Sequence, residues 1–159
     1  MNTCKIHSLF ERWCQRLRIT PTWDVMLEII SDANLRKTGD IKIDCTDHKA
    51  IVLLNTAGAN FENPEEILVH ELLHLKLYPL DQVTEGLITS QFESNTPASD
   101  FAYHQFFTAL EITVEELTKC FLFEFGEAKE LSYGRCRSQK SFDDLFNNLK
   151  TFEHKSPLD

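Results

Sequence analysis

The hydrophobic positions in the first third of the chain predict one helix followed by three strands. Over residues 3–18, apolar side chains recur at three- and four-residue steps, the spacing of an amphipathic helix, and Pro21 ends it. Residues 23–30 are rich in apolar and β-branched side chains, and residues 41–45 alternate between apolar and polar positions. Residues 50–54 form a short apolar run after a polar connection of hairpin length. The pattern predicts a three-stranded, mostly antiparallel sheet with residues 50–54 as its edge strand.

The next predicted element is a helix that begins at Pro64. Asn63, Pro64 and Glu66 fall at its N-cap, N1 and N3 positions. There an asparagine side chain accepts backbone N–H groups, a proline loses no hydrogen bond and a glutamate faces the positive end of the helix dipole. We expect this helix to end at Tyr78, because Pro79 pushes the residue before it out of the α region.

A second long helix is predicted over residues 99–125, with Gly126 placed to cap its end. Its apolar stripe consists of Tyr103, Phe107, Leu110, Val114, Leu117 and Phe121. We expect Tyr103 to lie in the core. A weaker helical segment is predicted at residues 81–89, a loop at 91–97 and a final amphipathic helix at 142–152. The order of helix, strands and helices predicts an α+β fold.

The composition is that of one globular domain over residues 1–159. Hydrophobic residues make up 42% and charged residues 26%, with 5 Gly and 5 Pro, which excludes a disordered or low-complexity chain. Lys and Arg number 16 against 25 Asp and Glu, a net charge of −9 that repels phosphate backbones, so no nucleic acid partner is expected. The five cysteines form no CxxC pair, and no apolar run reaches the length of a signal peptide core or a membrane span. We therefore expect a cytoplasmic protein without a membrane partner.

The candidate chemistry lies inside the first long helix, where residues 70–74 read HELLH, an HExxH pattern. Residues four apart lie above one another on a helix, so His70 and His74 can bind one Zn²⁺. Glu71 then sits beside the metal as general base for a bound water, whose pKa zinc lowers to roughly 7. The alternative is a chance pattern of ordinary helix residues, which we disfavour because two imidazoles among leucines need a shared partner.

A catalytic zinc normally has a third protein ligand. The metzincin extension is absent, because Leu77 and Leu80 stand where its glycine and histidine would be. Glu111 and Glu115 are four apart on the second long helix and share a face beside its apolar stripe. We predict Glu111 as the third ligand and Glu115 as the acceptor that fixes the tautomer of a metal-bound histidine. From spacing alone, a solvated acidic face remains the alternative.

His104 lies seven residues before Glu111, two turns along the same helix face. It is a candidate to stabilise the negatively charged oxygen of a transition state. A surface histidine is the alternative and the more common role. A fourth protein ligand would close the site to water; His104, Asp100 and Glu93 are available for it, none of them by spacing.

Residues 111–122, EITVEELTKCFL, resemble the second motif of the ImmA/IrrE-type zinc metallopeptidases and their phage-encoded relatives. In that motif a ligand Glu is followed at plus four by Asn or Asp, and Glu111 and Glu115 take these two places. The segment PEEILVHELLHLKL and the strands before it are also similar to that family, and the Glu spacing resembles gluzincins such as thermolysin. The resemblance covers about residues 20–125. It implies a zincin-like fold, one catalytic Zn²⁺ and a substrate that is a repressor or another regulatory protein.

The leading hypothesis is a zinc-dependent peptidase that hydrolyses a peptide or protein substrate, with His70, His74 and Glu111 on the metal and Glu71 as general base. An extended substrate is expected to add to the edge strand. The rival is a non-catalytic zinc-binding protein-interaction module with the same fold. A third possibility is a zinc-independent peptide-binding remnant, for which metal removal changes neither stability nor binding. The oligomeric state is left open.

Overall fold

The computed structural model describes residues 3–58 and 61–134, in which an N-terminal helix precedes a sheet and two long helices. The elements are α1 (Thr3–Arg16), β1 (Asp24–Ile30), β2 (Gly39–Asp44), β3 (Lys49–Asn55), α2 (Pro64–Gln91), α3 (Pro97–Phe125) and the short α4 (Lys129–Ser132). The predicted α+β class is confirmed. The helix predicted at residues 142–152 lies outside the described residues.

The sheet is mixed, with the strand order β1-β3-β2. β1 pairs with β3 in parallel, and β2 pairs with β3 antiparallel. The prediction of a mostly antiparallel sheet is therefore wrong, and so is the prediction of residues 50–54 as an edge strand. The short β2–β3 connection requires only that these two strands be antiparallel. Packing decides the partner of β1. β3, the strand with the most buried residues, lies at the centre, where both of its backbone edges are paired.

The core lies between α1, one face of the sheet, the first half of α2 and the C-terminal half of α3. The predicted stripe of the first helix is buried, together with Cys14; its members are Ile6, Leu9, Phe10, Trp13 and Leu17. From β3, Ala50, Val52 and Leu54 reach the same core. Their alternation with exposed positions shows that one face of the sheet is packed. No helix within the described ranges combines the length and hydropathy that a bilayer crossing requires.

α2 does not end at Tyr78 but continues through Pro79 to Gln91. The predicted weak segment at residues 81–89 is thus part of the same helix, and the end predicted from Pro79 is wrong. A proline removes one backbone donor but keeps a helical φ. The loss is tolerated because α3 returns along α2 as an antiparallel neighbour and holds the segment in place.

α3 begins at Pro97, two residues earlier than predicted, with the Thr96 hydroxyl accepting the Ser99 N–H at 3.2 Å. Gly126 caps its end as predicted, because a Cβ there would lie 2.5 Å from the carbonyl oxygen of Leu122. The prediction of Tyr103 as a core residue is wrong, since 45% of its surface is exposed. In the described part of the chain, α3 makes its extensive contacts with α2, and these leave Tyr103 and Phe107 of its stripe exposed.

Candidate metal centre

A buried carboxylate fixes the start of α2 against α1 and the segment after α3. Glu65 accepts the Trp13 indole N–H at 2.9 Å on Oε1. On Oε2 it accepts the backbone N–H groups of Glu127 and Ala128 at 2.9 and 3.2 Å. A buried carboxylate with three donors is well satisfied. The contacts set the rotation of α2 about its axis and its position relative to α3, on which the site depends.

His70, His74 and Glu111 meet between α2 and α3. The Nε2 atoms of the two histidines are 3.2 Å apart. Glu111 Oε2 lies 3.4 Å from His70 Nε2, and Glu111 Oε1 lies 3.2 Å from His74 Nε2. Three ligands of a tetrahedral zinc with bonds of about 2.0–2.1 Å are separated by about 3.3 Å. The donor atoms therefore have both the chemistry and the spacing that Zn²⁺ requires.

Glu115 lies behind His70 rather than in the group itself. Its Oε2 is 3.5 Å from His70 Nδ1, and its Oε1 is 3.3 Å from Lys119 Nζ. The hydrogen bond from His70, together with Lys119, lowers the pKa of Glu115 to about 2. A carboxylate facing Nδ1 leaves Nε2 as the atom available to a metal, which is the arrangement predicted for Glu115.

The two histidines differ in their electrostatics. Burial lowers the pKa of His74, and the attraction of Glu111 only partly opposes this. Burial also works to lower the pKa of His70, but the hydrogen bond to Glu115 and the charges of Glu71 and Glu111 outweigh it, and the pKa is raised. Neutral imidazole is the metal-binding form, so the environment of His74 favours that form directly.

Glu71 is nearly buried, with 9% of its surface exposed, and lines the cleft beside the two histidines. Burial raises its pKa to about 7, and the nearby charges of Asp40 and Glu111 act in the same direction. Gly39 on β2 leaves space for the Glu71 carboxylate, because a Cβ at this position would lie 2.5 Å from Glu71 Oε1. The sequence interpretation overlooked Gly39, although a glycine inside a strand can signal close approach of another group.

The site opens into a cleft of about 590 Å³ formed by β2, α2 and α3. β2 contributes Gly39, Asp40, Ile41 and Ile43, preceded by Lys37; α2 contributes Tyr78, Asp81, Gln82 and Glu85 beyond the motif; α3 contributes Phe107 and Glu111. Strand β2, and not β3, therefore borders the site. The residues of α2 beyond Tyr78 were overlooked because the sequence predicted that the helix ends there.

His104 is exposed and does not belong to the lining of the cleft. The structure thus does not bring it together with the other predicted site residues. Asp100 and Glu93 do not belong to the group that could hold a metal either. Within residues 3–58 and 61–134, that group has three members, so a tetrahedral ion bound there would have its fourth position free.

Comparisons of the chain with protein-family models, with curated proteins and with solved structures find no match. The resemblance to ImmA/IrrE-type metallopeptidases accordingly stays a prediction from the sequence motifs. The function has to be argued from the geometry of His70, Glu71, His74 and Glu111.

Proposed function

We propose that the chain is a zinc-dependent peptidase whose metal is held by His70, His74 and Glu111. The single observation that carries the proposal is the set of three donor atoms 3.2–3.4 Å apart on two helices, open to a cleft on one side. Three protein ligands and a free position are typical of catalytic zinc, whereas structural zinc has four protein ligands. The adjacent buried Glu71 adds the acid–base group that hydrolysis needs.

Glu71 is the proposed general base and the subsequent proton donor. A bound zinc ion supplies an acidified water and polarises the substrate carbonyl. Glu71 lines the cleft beside His70 and His74, where its carboxylate would accept a proton from that water and return it to the leaving amine. Gly39 keeps space for that carboxylate on the β2 side, and Glu115 orients the ring of His70 from behind.

β2 is the strand proposed to pair with an extended substrate, in place of β3. The Asn55 N–H donates to the Thr38 carbonyl at 2.8 Å. Because antiparallel pairs alternate, Asp40 and Lys42 also point their backbone groups toward β3, and the residues between them point theirs away. These outward residues, Gly39, Ile41 and Ile43, all line the cleft. The Ile41 N–H already donates to Asp40 Oδ1 at 3.1 Å, and an extended peptide can pair with the remaining outward groups regardless of its sequence. By the motif resemblance, a regulatory protein such as a repressor is the proposed natural substrate.

The experiment is zinc analysis followed by a hydrolysis assay, on protein purified without a histidine tag. Wild type is expected to contain one equivalent of zinc, and Glu111→Ala to lose it. Glu116→Ala, an exposed neighbour on α3, is the matched control and should retain zinc. Glu71→Gln should bind zinc but hydrolyse no casein or peptide. Absence of zinc from wild type after reconstitution would refute the proposal.

A non-catalytic zinc-binding interaction module is the second candidate. It is favoured by the exposed apolar residues on the outer face of α2, Leu80, Val83 and Leu87. In that case zinc would fasten α2 to α3, and zinc-loaded wild type and Glu71→Gln would both fail to hydrolyse casein or peptides. Hydrolysis by wild type that is lost in Glu71→Gln would support the peptidase over the interaction module.

A further inference from the structure

The face of α2 that carries the two histidines continues beyond Pro79 as a second set of cleft residues. Starting from His70 and His74, the steps of three and four residues along one helix face lead to Tyr78, Asp81, Gln82 and Glu85. With a rise of 1.5 Å per residue, Asp81 lies about 10 Å along the axis from His74. The cleft therefore has an outer end, distinct from the metal group, that exists only because α2 does not stop at Tyr78.

This outer end carries uncompensated negative charge. Outside the motif and Glu111, the charged residues that line the cleft are Lys37, Asp40, Asp81 and Glu85. The ammonium group of Lys37 lies 3.0 Å from Asp40 Oδ1 and is already paired. Within the described ranges, neither Asp81 nor Glu85 forms an ion pair with a lysine, arginine or histidine. Glu85 accepts a hydrogen bond from the neutral amide of Gln82 at 3.3 Å.

The two carboxylates also repel one another. Asp81 and Glu85 are one turn apart on α2, the spacing at which like charges destabilise a helix. Partial burial and the charge of Glu85 raise the pKa of Asp81. A cation between them would remove this repulsion. Tyr78 and Phe107, which line the same cleft, offer apolar and aromatic surface for the stem of a long side chain.

The inner end of the cleft separately indicates that a ligand completes it. Glu71 is about nine-tenths buried, lines the cleft and has no hydrogen-bond partner among the described residues. A buried carboxylate without a donor is costly until a bound molecule supplies one. Glu71, Asp81 and Glu85 line one cavity, so a ligand that extends from Glu71 along the cleft can reach the carboxylates on α2.

We propose, on the basis of the peptidase function above, that Asp81 and Glu85 bind a lysine or arginine side chain of the substrate and so select basic peptides. The long cationic side chain lies along Tyr78 and Phe107, and its charge is placed between the two carboxylates. Asp81 and Glu85 act in specificity and not in the chemical step. The preference weakens with added salt, since the carboxylates are half-exposed and screened.

The test uses short quenched-fluorescence peptides on an alanine–serine background, each with lysine, arginine, glutamine or glutamate at one position. Wild-type protein loaded with zinc should cleave the best lysine peptide about fivefold faster in kcat/KM than its glutamine counterpart, as expected for a partly exposed ion pair. Asp81→Asn/Glu85→Gln should bring the two rates together. Glu85→Lys should reverse the preference toward the glutamate peptide.

The matched control is Glu116→Gln/Glu124→Gln, which removes two exposed carboxylates of α3 that do not line the cleft. It should retain the preference, which excludes an effect of net charge alone. The same peptides are also titrated into zinc-loaded Glu71→Gln and followed by fluorescence anisotropy. Cleavage without a preference for basic peptides overturns this inference and leaves the peptidase intact. Binding of basic peptides without any cleavage supports the binding role of Asp81 and Glu85 and refutes the peptidase function. Equal binding of lysine and glutamine peptides overturns the inference in either case.

Discussion

The two halves of α2 have the same secondary structure but different surroundings. From Pro64 to Leu75 the helix lies between α1, the sheet and α3, and it buries Leu68, Val69, Leu72 and Leu73 among others. From Pro79 to Gln91 it runs beside α3, shares the cleft with β2 and exposes Leu80, Val83 and Leu87. Of the two histidines proposed as metal ligands, His70 lies within the buried half and His74 lies where that half ends. The comparison indicates that packing fixes the first half, whereas the second half leaves an apolar surface exposed.

The largest expected effect is a loss of packing in the buried half. Leu72→Ala should lower the free energy of unfolding by about 2–5 kcal/mol, because the side chain is fully buried and leaves a cavity. Leu80→Ala in the outer half should change it by less than about 0.5 kcal/mol, since 63% of Leu80 is exposed. Urea denaturation of both variants checks this. Equal destabilisation would mean that the two halves do not differ in packing.

Zinc is expected to join the two helices at the boundary between these halves. At free zinc about 100 times the Kd, binding to the folded state adds about 2.7 kcal/mol of stability. Treatment of wild type with a chelator should therefore lower the Tm by several degrees. Glu111→Ala should have the lower Tm from the start and not respond to the chelator. A chelator effect of the same size in Glu111→Ala would remove Glu111 from the site.

Glu115 should have a smaller effect than the ligands, since it acts through the ring of His70. Glu115→Ala is expected to weaken zinc binding about tenfold and not to abolish it. A competition titration with a zinc-sensitive dye measures the difference. Glu116→Ala serves as control. Unchanged zinc affinity in Glu115→Ala would show that zinc binding by His70 does not depend on Glu115.

The smallest effect is expected at Gly86 in the outer half of α2, and Gly39 beside the buried half provides the comparison. In Gly39→Ala the new methyl group meets Glu71 Oε1 at 2.5 Å and Ile67 Cγ2 at 2.6 Å, and we expect a loss of about 1–3 kcal/mol. Gly86, in the outer half of α2, has nothing within 4 Å of an added Cβ. Gly86→Ala should therefore stabilise the protein by up to about 1 kcal/mol. The midpoints of urea denaturation of both variants measure these changes. Destabilisation by Gly86→Ala would show that the outer half of α2 is packed.

Much of the local structure could be predicted because it depends on neighbouring residues alone. The stripe of α1, the start of α2 at Pro64 and the end of α3 at Gly126 follow from periodicity and capping chemistry. The prediction for Tyr103 is wrong because an apolar stripe identifies the hydrophobic face of a helix but not whether another element covers that face. The continuation of α2 through Pro79 was missed for a related reason, since α3 supplies the packing that outweighs the proline.

The sequence by itself determined that His70, Glu71 and His74 share one helix, because four residues make about one turn. Only the tertiary structure decided that Glu111 stands 3.2–3.4 Å from both imidazoles and that Glu115 lies behind His70. It also decided that β2 borders the cleft, because strand order depends on which apolar surfaces pack together. Helix periodicity acts over a few residues of one segment, whereas a site built from three elements depends on contacts between residues far apart in the chain.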